Sequence, residues 1–198
     1  MRKLLLISCL GCLIGVGASA STVTYTTTGS IFCNGVSGCS TITNGVSVTQ
    51  NSATVTLVYD PNTGSTVSTP TNINYGAIDA SASSSTAVDL TGLLLSLDVL
   101  QTVPTSSSGS FVNASVTGTL AGTSANANIS WTTNEIFIGP ETYEVFSPAV
   151  IVAPTSNSGV ATLEGNVSDT VTTTPEPSAV LLAGAGLALL GLLRRRTV

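Results

Sequence analysis

Glu135, Glu141 and Glu144 fall within one stretch, "NEIFIGPETYEVF", and paired carboxylates are the groups that hydrolyse glycosidic bonds. The same stretch reads more simply as two short strands around Gly139-Pro140, with the glutamates solvated on the outer face. "YDPNTGS" offers a second possibility, because Asp60, Asn62 and Gly64 have the spacing of half a calcium loop and oxygen ligands suit calcium. The closing glutamate of such a loop is missing, and Asp-Pro-Asn-x-Gly is also what a tight turn after a strand looks like. The turn is the expectation. The aspartic-protease triplet Asp-Thr/Ser-Gly does not occur.

Other chemistries fail for want of a base or a cation. Residues 21–174 contain Asp60, Asp79, Asp89, Asp98, Asp169, Glu135, Glu141, Glu144 and Glu164, and no lysine, arginine or histidine. The basic residues of the 198-residue chain are Arg2, Lys3, Arg194, Arg195 and Arg196. A Ser-His-Asp or Cys-His arrangement needs a base to take the nucleophile's proton. Phosphate clamps and nucleic-acid surfaces need cations for most of their affinity. Zinc needs histidine or several cysteines, and this span has only Cys33 and Cys39. No catalytic residue, no metal site, no cofactor and no nucleic-acid partner are therefore expected.

The elements around this acidic body are read from its two flanks. "MRKLLLISCLGCLIGVGASA" starts with Arg2 and Lys3, runs apolar from Leu4 to Val16, and finishes with Ala18-Ser19-Ala20. These are the three regions of a secretory signal peptide, residues 1–20, cleaved after Ala20 so that the mature chain starts at Ser21. Leu6-Ile7-Ser8-Cys9 resembles a lipoprotein processing box, but processing there would leave a hydrophobic core too short for targeting. At the other flank, Ser178 to Leu193 is an apolar run of 16 residues. As a helix it would span about 24 Å against a hydrocarbon core of about 30 Å. Snorkelling arginines make up the difference, and Arg194, Arg195 and Arg196 are expected on the cytoplasmic side as the topology anchor.

Pro175, Glu176, Pro177 and Ser178, then the apolar segment 178–193, then the arginine cluster, resemble in that order the PEP-CTERM sorting signal of bacterial exosortase substrates. The resemblance covers about the last 25 residues, 175–198 being the signal itself. It implies recognition by an exosortase, a membrane-embedded cysteine protease-like transpeptidase at the inner membrane of a Gram-negative-type cell. It also implies removal of the tail, and release of the body or its transfer to the cell surface or exopolysaccharide. The LPxTG box of the Gram-positive sortase system is absent.

Between these flanks the chain is rich in Thr, Ser, Val, Gly and Asn, a composition that favours strands. Period-two alternation places Val55, Leu57 and Tyr59 on one face, and Leu93, Leu95, Leu97, Val99 and Val103 on another. It likewise groups Val112, Ala114, Val116 and Leu120; Ala127, Ile129 and Trp131; and Ala161, Leu163 and Val167. "PNTG", "PTSSSGS", "GPE" and "PTSNSG" supply turns, and "IDASASSSTAVD" reads as a surface loop. The expected fold is all-β: an antiparallel, jelly-roll-like β-sandwich ectodomain over 21–168, a Thr-rich stem over 169–174, and a C-terminal transmembrane helix.

Cys33 and Cys39 bracket "NGVSG" and are expected to form a local disulfide that pins a hairpin, because export exposes the chain to oxidising conditions. Recurrent Thr-x-Thr pairs read as solvent faces of ordinary strands. The expected function is that of a non-enzymatic cell-surface or biofilm-matrix protein, associated with exopolysaccharide. The alternative is a carbohydrate- or calcium-binding adhesin using Asp, Asn and Tyr in its loops.

Overall fold

Every long stretch with period-two alternation is a strand in the structure, a computed structural model that describes residues 20–169. In "ATVTLVY" Val55, Leu57 and Tyr59 are buried while Thr54, Thr56 and Val58 are half-buried. That asymmetry is what a sheet covered on one face requires. Fourteen strands result, β1 (Thr22–Phe32), β2 (Cys39–Ile42), β3 (Gly45–Gln50), β4 (Ala53–Pro61), β5 (Ser65–Ser68), β6 (Thr71–Ala82) and β7 (Val88–Asp89) in the first half. The second half supplies β8 (Leu94–Val103), β9 (Ser107–Leu120), β10 (Ala125–Ser130), β11 (Glu135–Ile138), β12 (Glu141–Val145), β13 (Ala149–Ile151) and β14 (Val160–Asp169).

The strands form two antiparallel seven-stranded sheets. One has the order β13-β10-β9-β8-β1-β5, with β7 also on β9; the other has the order β11-β12-β14-β6-β4-β3-β2. Their inner faces share one core, in which rings from opposite sheets meet edge to face. Tyr25 of β1 meets Tyr143 of β12 with centroids 6.2 Å apart, and Tyr75 of β6 meets Phe111 of β9 at 5.6 Å. The phenol oxygens are satisfied inside. The hydroxyls of Tyr59 and Thr27 reach the Tyr75 carbonyl at 2.6 and 2.7 Å, and burial pushes the Tyr59 phenol up to about 12.

Several expectations need correction. In-sheet meanders, β2-β3-β4 and β8-β9-β10, replace the sheet-swapping strand order of a jelly roll. The expected C-terminal transmembrane helix is not found among the described residues. Among the described residues no helix is long and apolar enough to cross a membrane, and the helical turn present is the 3-10 segment Asn157–Gly159. Residues 178–193 lie outside the described residues. The supposed loop "IDASASSSTAVD" begins as strand, because Ile78 and Ala80 are buried alternately with exposed Asp79 and Ser81. Val103 is 42% exposed, and Gln101 takes the last inward position of β8. On β9 the face carrying Ala114, Val116 and Leu120 continues to Phe111 rather than by strict alternation. The β8–β9 register slips there, between Leu95 and Leu97, and Asn113 adopts φ 58°. This is a bulge, and Asn tolerates the left-handed region better than most residues. Farther along β9, Gly118 has φ 103°, and a Cβ would sit 1.8 Å from the Asn126 carbonyl oxygen. Only glycine fits.

Cys33 and Cys39 are bonded, with Cα atoms 5.9 Å apart. The bridge does not pin a hairpin. It follows β1, inside one sheet, and opens β2, the edge of the other, so it crosslinks the two sheets at the corner where the chain passes between them. Replacing both cysteines with serine is expected to cost about 2 kcal/mol and lower the unfolding midpoint by roughly 4–8 °C. Thermal unfolding without reductant measures this, and an unchanged midpoint would show that the corner is held by packing alone.

Candidate functional site

The three glutamates of the β11–β12 hairpin do not share one face. Glu135 and Glu144 are cross-strand partners, exposed and half-buried respectively, whereas Glu141 shares the inward face of β12 with Tyr143 and Val145. Glu141 is 0% exposed. The expectation that all three glutamates are solvated is thus wrong for Glu141, which lies on the opposite face of the hairpin from Glu135 and Glu144. Asn62 is consumed by its own turn. Its Oδ1 accepts from the Gly64 amide at 3.0 Å, while Nδ2 donates to the Asn74 carbonyl at 2.7 Å and to Ser65 Oγ at 2.9 Å. Among the described residues no group of three or more His, Cys, Asp or Glu could hold a metal ion.

A concentrated polar site lies where the described body begins and ends. Ser21 precedes β1, Thr69 lies in the β5–β6 connection, Gln101 ends the inward face of β8, Glu141 starts β12 and Asp169 ends β14. The β1–β5 ladder begins at Thr22 opposite Ser68, and the Thr69 amide donates to the Ser21 carbonyl at 2.9 Å. Backbone pairing therefore fixes Ser21 against Thr69. The β12–β14 ladder sets Glu141 directly opposite Asp169. Like charges placed so oppose pairing.

Hydrogen bonds knit these five residues together. The Ser21 hydroxyl donates to Asp169 Oδ1 at 2.6 Å, and the Thr69 hydroxyl donates to Asp169 Oδ2 at 2.7 Å. The Ser21 backbone nitrogen lies 3.1 Å from Thr69 Oγ1 and 3.3 Å from Asp169 Oδ2. On the buried side, Gln101 Nε2 donates to Glu141 Oε2 at 3.1 Å, and the Tyr143 hydroxyl donates to Gln101 Oε1 at 2.8 Å. Glu141 Oε1 is 3.5 Å from Ser21 Oγ. Burial pushes the Asp169 carboxyl up, but the hydrogen bonds from the Ser21 hydroxyl, the Thr69 hydroxyl and the Ser21 amide outweigh it and hold it below the usual aspartate range. Its stabilising effect is therefore present above that range and lost as pH falls through it. Burial first, then the Glu141 carboxylate, push the Tyr143 phenol up.

No protein-family model, no curated protein and no solved structure matches this chain. The chemistry of the site must then be read from its atoms. It is rich in acceptors, contains two carboxylates and no cationic side chain, and its innermost carboxylate is closed to solvent. Such a site receives donors.

Of the residues singled out from sequence, Ala20 is exposed and Ser21 is half-buried at this site. Cys33 and Cys39 sit at the intersheet corner. Ala18, the sorting residues Pro175, Glu176, Pro177 and Ser178, and Arg194, Arg195 and Arg196 lie outside the described residues. Thr69, Gln101, Glu141 and Asp169 were not grouped from sequence. A local signal existed for one of them: in "ETYEV", Glu141 has the parity of Tyr143 and Val145, which marks an inward position. The rest depends on pairing across 148 residues of separation, which no local pattern encodes.

Proposed function

We propose that this chain is an exported, non-enzymatic protein of the cell surface or exopolysaccharide matrix of a Gram-negative-type bacterium. Its body is an acidic β-sandwich, delivered by an exosortase acting on the signal at 175–198. The observation that carries the reading is the ordered set Pro175-Glu176-Pro177, apolar segment and Arg194–Arg196, attached to a body without histidine, lysine or arginine. Two structural features support it. The disulfide fits an oxidising compartment. The Ser21–Asp169 contact brings together the two points at which the export and sorting segments join the body. A domain whose two flanks leave from one place can be processed at both without being unravelled.

An exported body of this composition has a simple signature. Residues 21–174 contain no lysine or arginine, so trypsin is expected to leave the processed body uncut even in denaturant. Electrophoresis after digestion in urea reads the outcome. Internal fragments would mean that the mature boundaries are wrong. The sorting step itself is tested by comparing size and cell fraction of the protein with and without the exosortase; unchanged size and fraction would defeat it.

A further inference from the structure

We infer that Ser21, Thr69, Glu141 and Asp169 form a receptor for the chain's own α-ammonium group, created when the signal peptide is removed. The inference rests on the export reading above. Hydrolysis breaks the amide between the Ala20 carbonyl and the Ser21 nitrogen. Water supplies the hydroxyl that leaves Ala20 as a carboxylate on the departing peptide, and the Ser21 amine takes up a proton. Ala20 is exposed and Ser21 half-buried, and the nitrogen that cleavage frees is already in place. It lies 3.3 Å from Asp169 Oδ2 and 3.1 Å from Thr69 Oγ1.

Three observations point to a missing cation there. The Glu141 carboxyl is wholly buried with one partner on each oxygen, Gln101 Nε2 at 3.1 Å and Ser21 Oγ at 3.5 Å, and a carboxylate has room for about four donors. Glu141 stands directly across the ladder from a second carboxylate, Asp169. A buried charge is costly unless it is paired, and residues 21–174 supply no cationic side chain to pair it. A peptide nitrogen at Ser21 brings one hydrogen, shared between Thr69 and Asp169. An ammonium brings three and a positive charge, beside Asp169 and on the residue whose hydroxyl lies 3.5 Å from Glu141 Oε1. Charge-assisted bonds of this kind are the strong ones.

The consequence is a domain that locks only after export. Before cleavage, two carboxyl groups face each other across the β12–β14 ladder, beside the start of β1. After cleavage the new cation clamps the start of β1 to the end of β14, where the stem begins. The titratable groups around Ser21 are Asp169 from β14 and Glu141 from β12, with Tyr143 of β12 beyond Gln101; the side chains of Ser21, Thr69 and Gln101 do not titrate. Pairing with carboxylates raises the ammonium pKa above the value of about 7.7–8.0 for a free α-amine. Its stabilising effect is then complete below that range and lost as pH rises through the raised value.

The absence of other amines makes the test direct. Lys3 is the chain's one lysine and lies in the signal peptide, so an amine-acetylating reagent reports the α-amine alone in the mature protein. The full-length gene is expressed in an exporting host and the secreted protein recovered, as wild type, as Asp169→Asn, as Glu141→Gln, and with one alanine inserted between Ala20 and Ser21. Intact mass gives each N-terminus. For wild type starting at Ser21, acetylation in the folded state is expected to be roughly tenfold or more slower than in denaturant. The insertion should restore reactivity and lower the unfolding midpoint by roughly 4–8 °C at pH 7, the difference fading at alkaline pH. Combined with Asp169→Asn or Glu141→Gln, the insertion should have little further effect. A Ser21 start with an amine equally reactive folded and unfolded, and an insertion that leaves the midpoint unchanged, would overturn the inference while sparing export. A different first residue would overturn the cleavage position and the receptor with it.

Discussion

Tyr75→Ala is expected to lower the unfolding midpoint by about 8–15 °C, the largest effect of any single truncation in the core. Tyr75 is 0% exposed, its ring meets Phe111 of the opposite sheet, and its hydroxyl donates to the Glu144 carbonyl at 3.0 Å. Phe111 in turn meets Trp131, with centroids 5.7 Å apart, so removing Tyr75 leaves one wall of an aromatic row open. Loss of a large buried ring costs about 3–5 kcal/mol through lost transfer energy and an unfilled cavity. Tyr75→Phe separates the two contributions. It keeps the ring and removes one hydrogen bond, worth about 1 kcal/mol, and should lower the midpoint by only a few degrees. Equal effects of the two variants would mean that the hydroxyl, not the intersheet ring contact, holds this part of the sandwich.

The second large effect concerns delivery rather than stability. Replacing Pro175 and Pro177 together with alanine is expected to remove most of the processed protein from the cell surface and matrix fractions. The variant should accumulate with its tail attached. The substitutions lie beyond β14 and leave every residue of the core untouched, so the folded body should keep its midpoint. Fractionation with an antibody to the body, alongside thermal unfolding of whatever is recovered, distinguishes mis-sorting from misfolding. Normal processing of this double variant would mean that the Pro-Glu-Pro triplet is not what the processing enzyme reads.

The fold was legible where side chains are large and alternate. Val55, Leu57 and Tyr59, or Ala127, Ile129 and Trp131, announce a strand and its inward face without help from the rest of the chain. Legibility failed where burial falls on small or polar residues. Ala80 looked like loop because its neighbours are serines, and Gln101 was passed over for Val103 because a glutamine is seldom placed inside. In the structure Gln101 is inward because it bridges Tyr143 to Glu141. The bulge at Asn113 shifted the β9 face by a residue, which strict alternation cannot anticipate. The disulfide was readable as a pair, yet its role was not, because that role depends on β1 and β2 belonging to different sheets. The polar site was the least legible. Its members come from five separate places in the chain, assembled by the ladders joining β1 to β5, β1 to β8 and β12 to β14 and by the contact between the two sheets.

The most direct test of the export and sorting account is the intact mass of the protein recovered from the surface of the cell that makes it. The account predicts a polypeptide beginning at Ser21, lacking the segment beyond the Pro-Glu-Pro region, and lighter by two hydrogens for the Cys33–Cys39 bond. A full-length chain with both flanks intact, recovered while the exosortase is present and active, would contradict it.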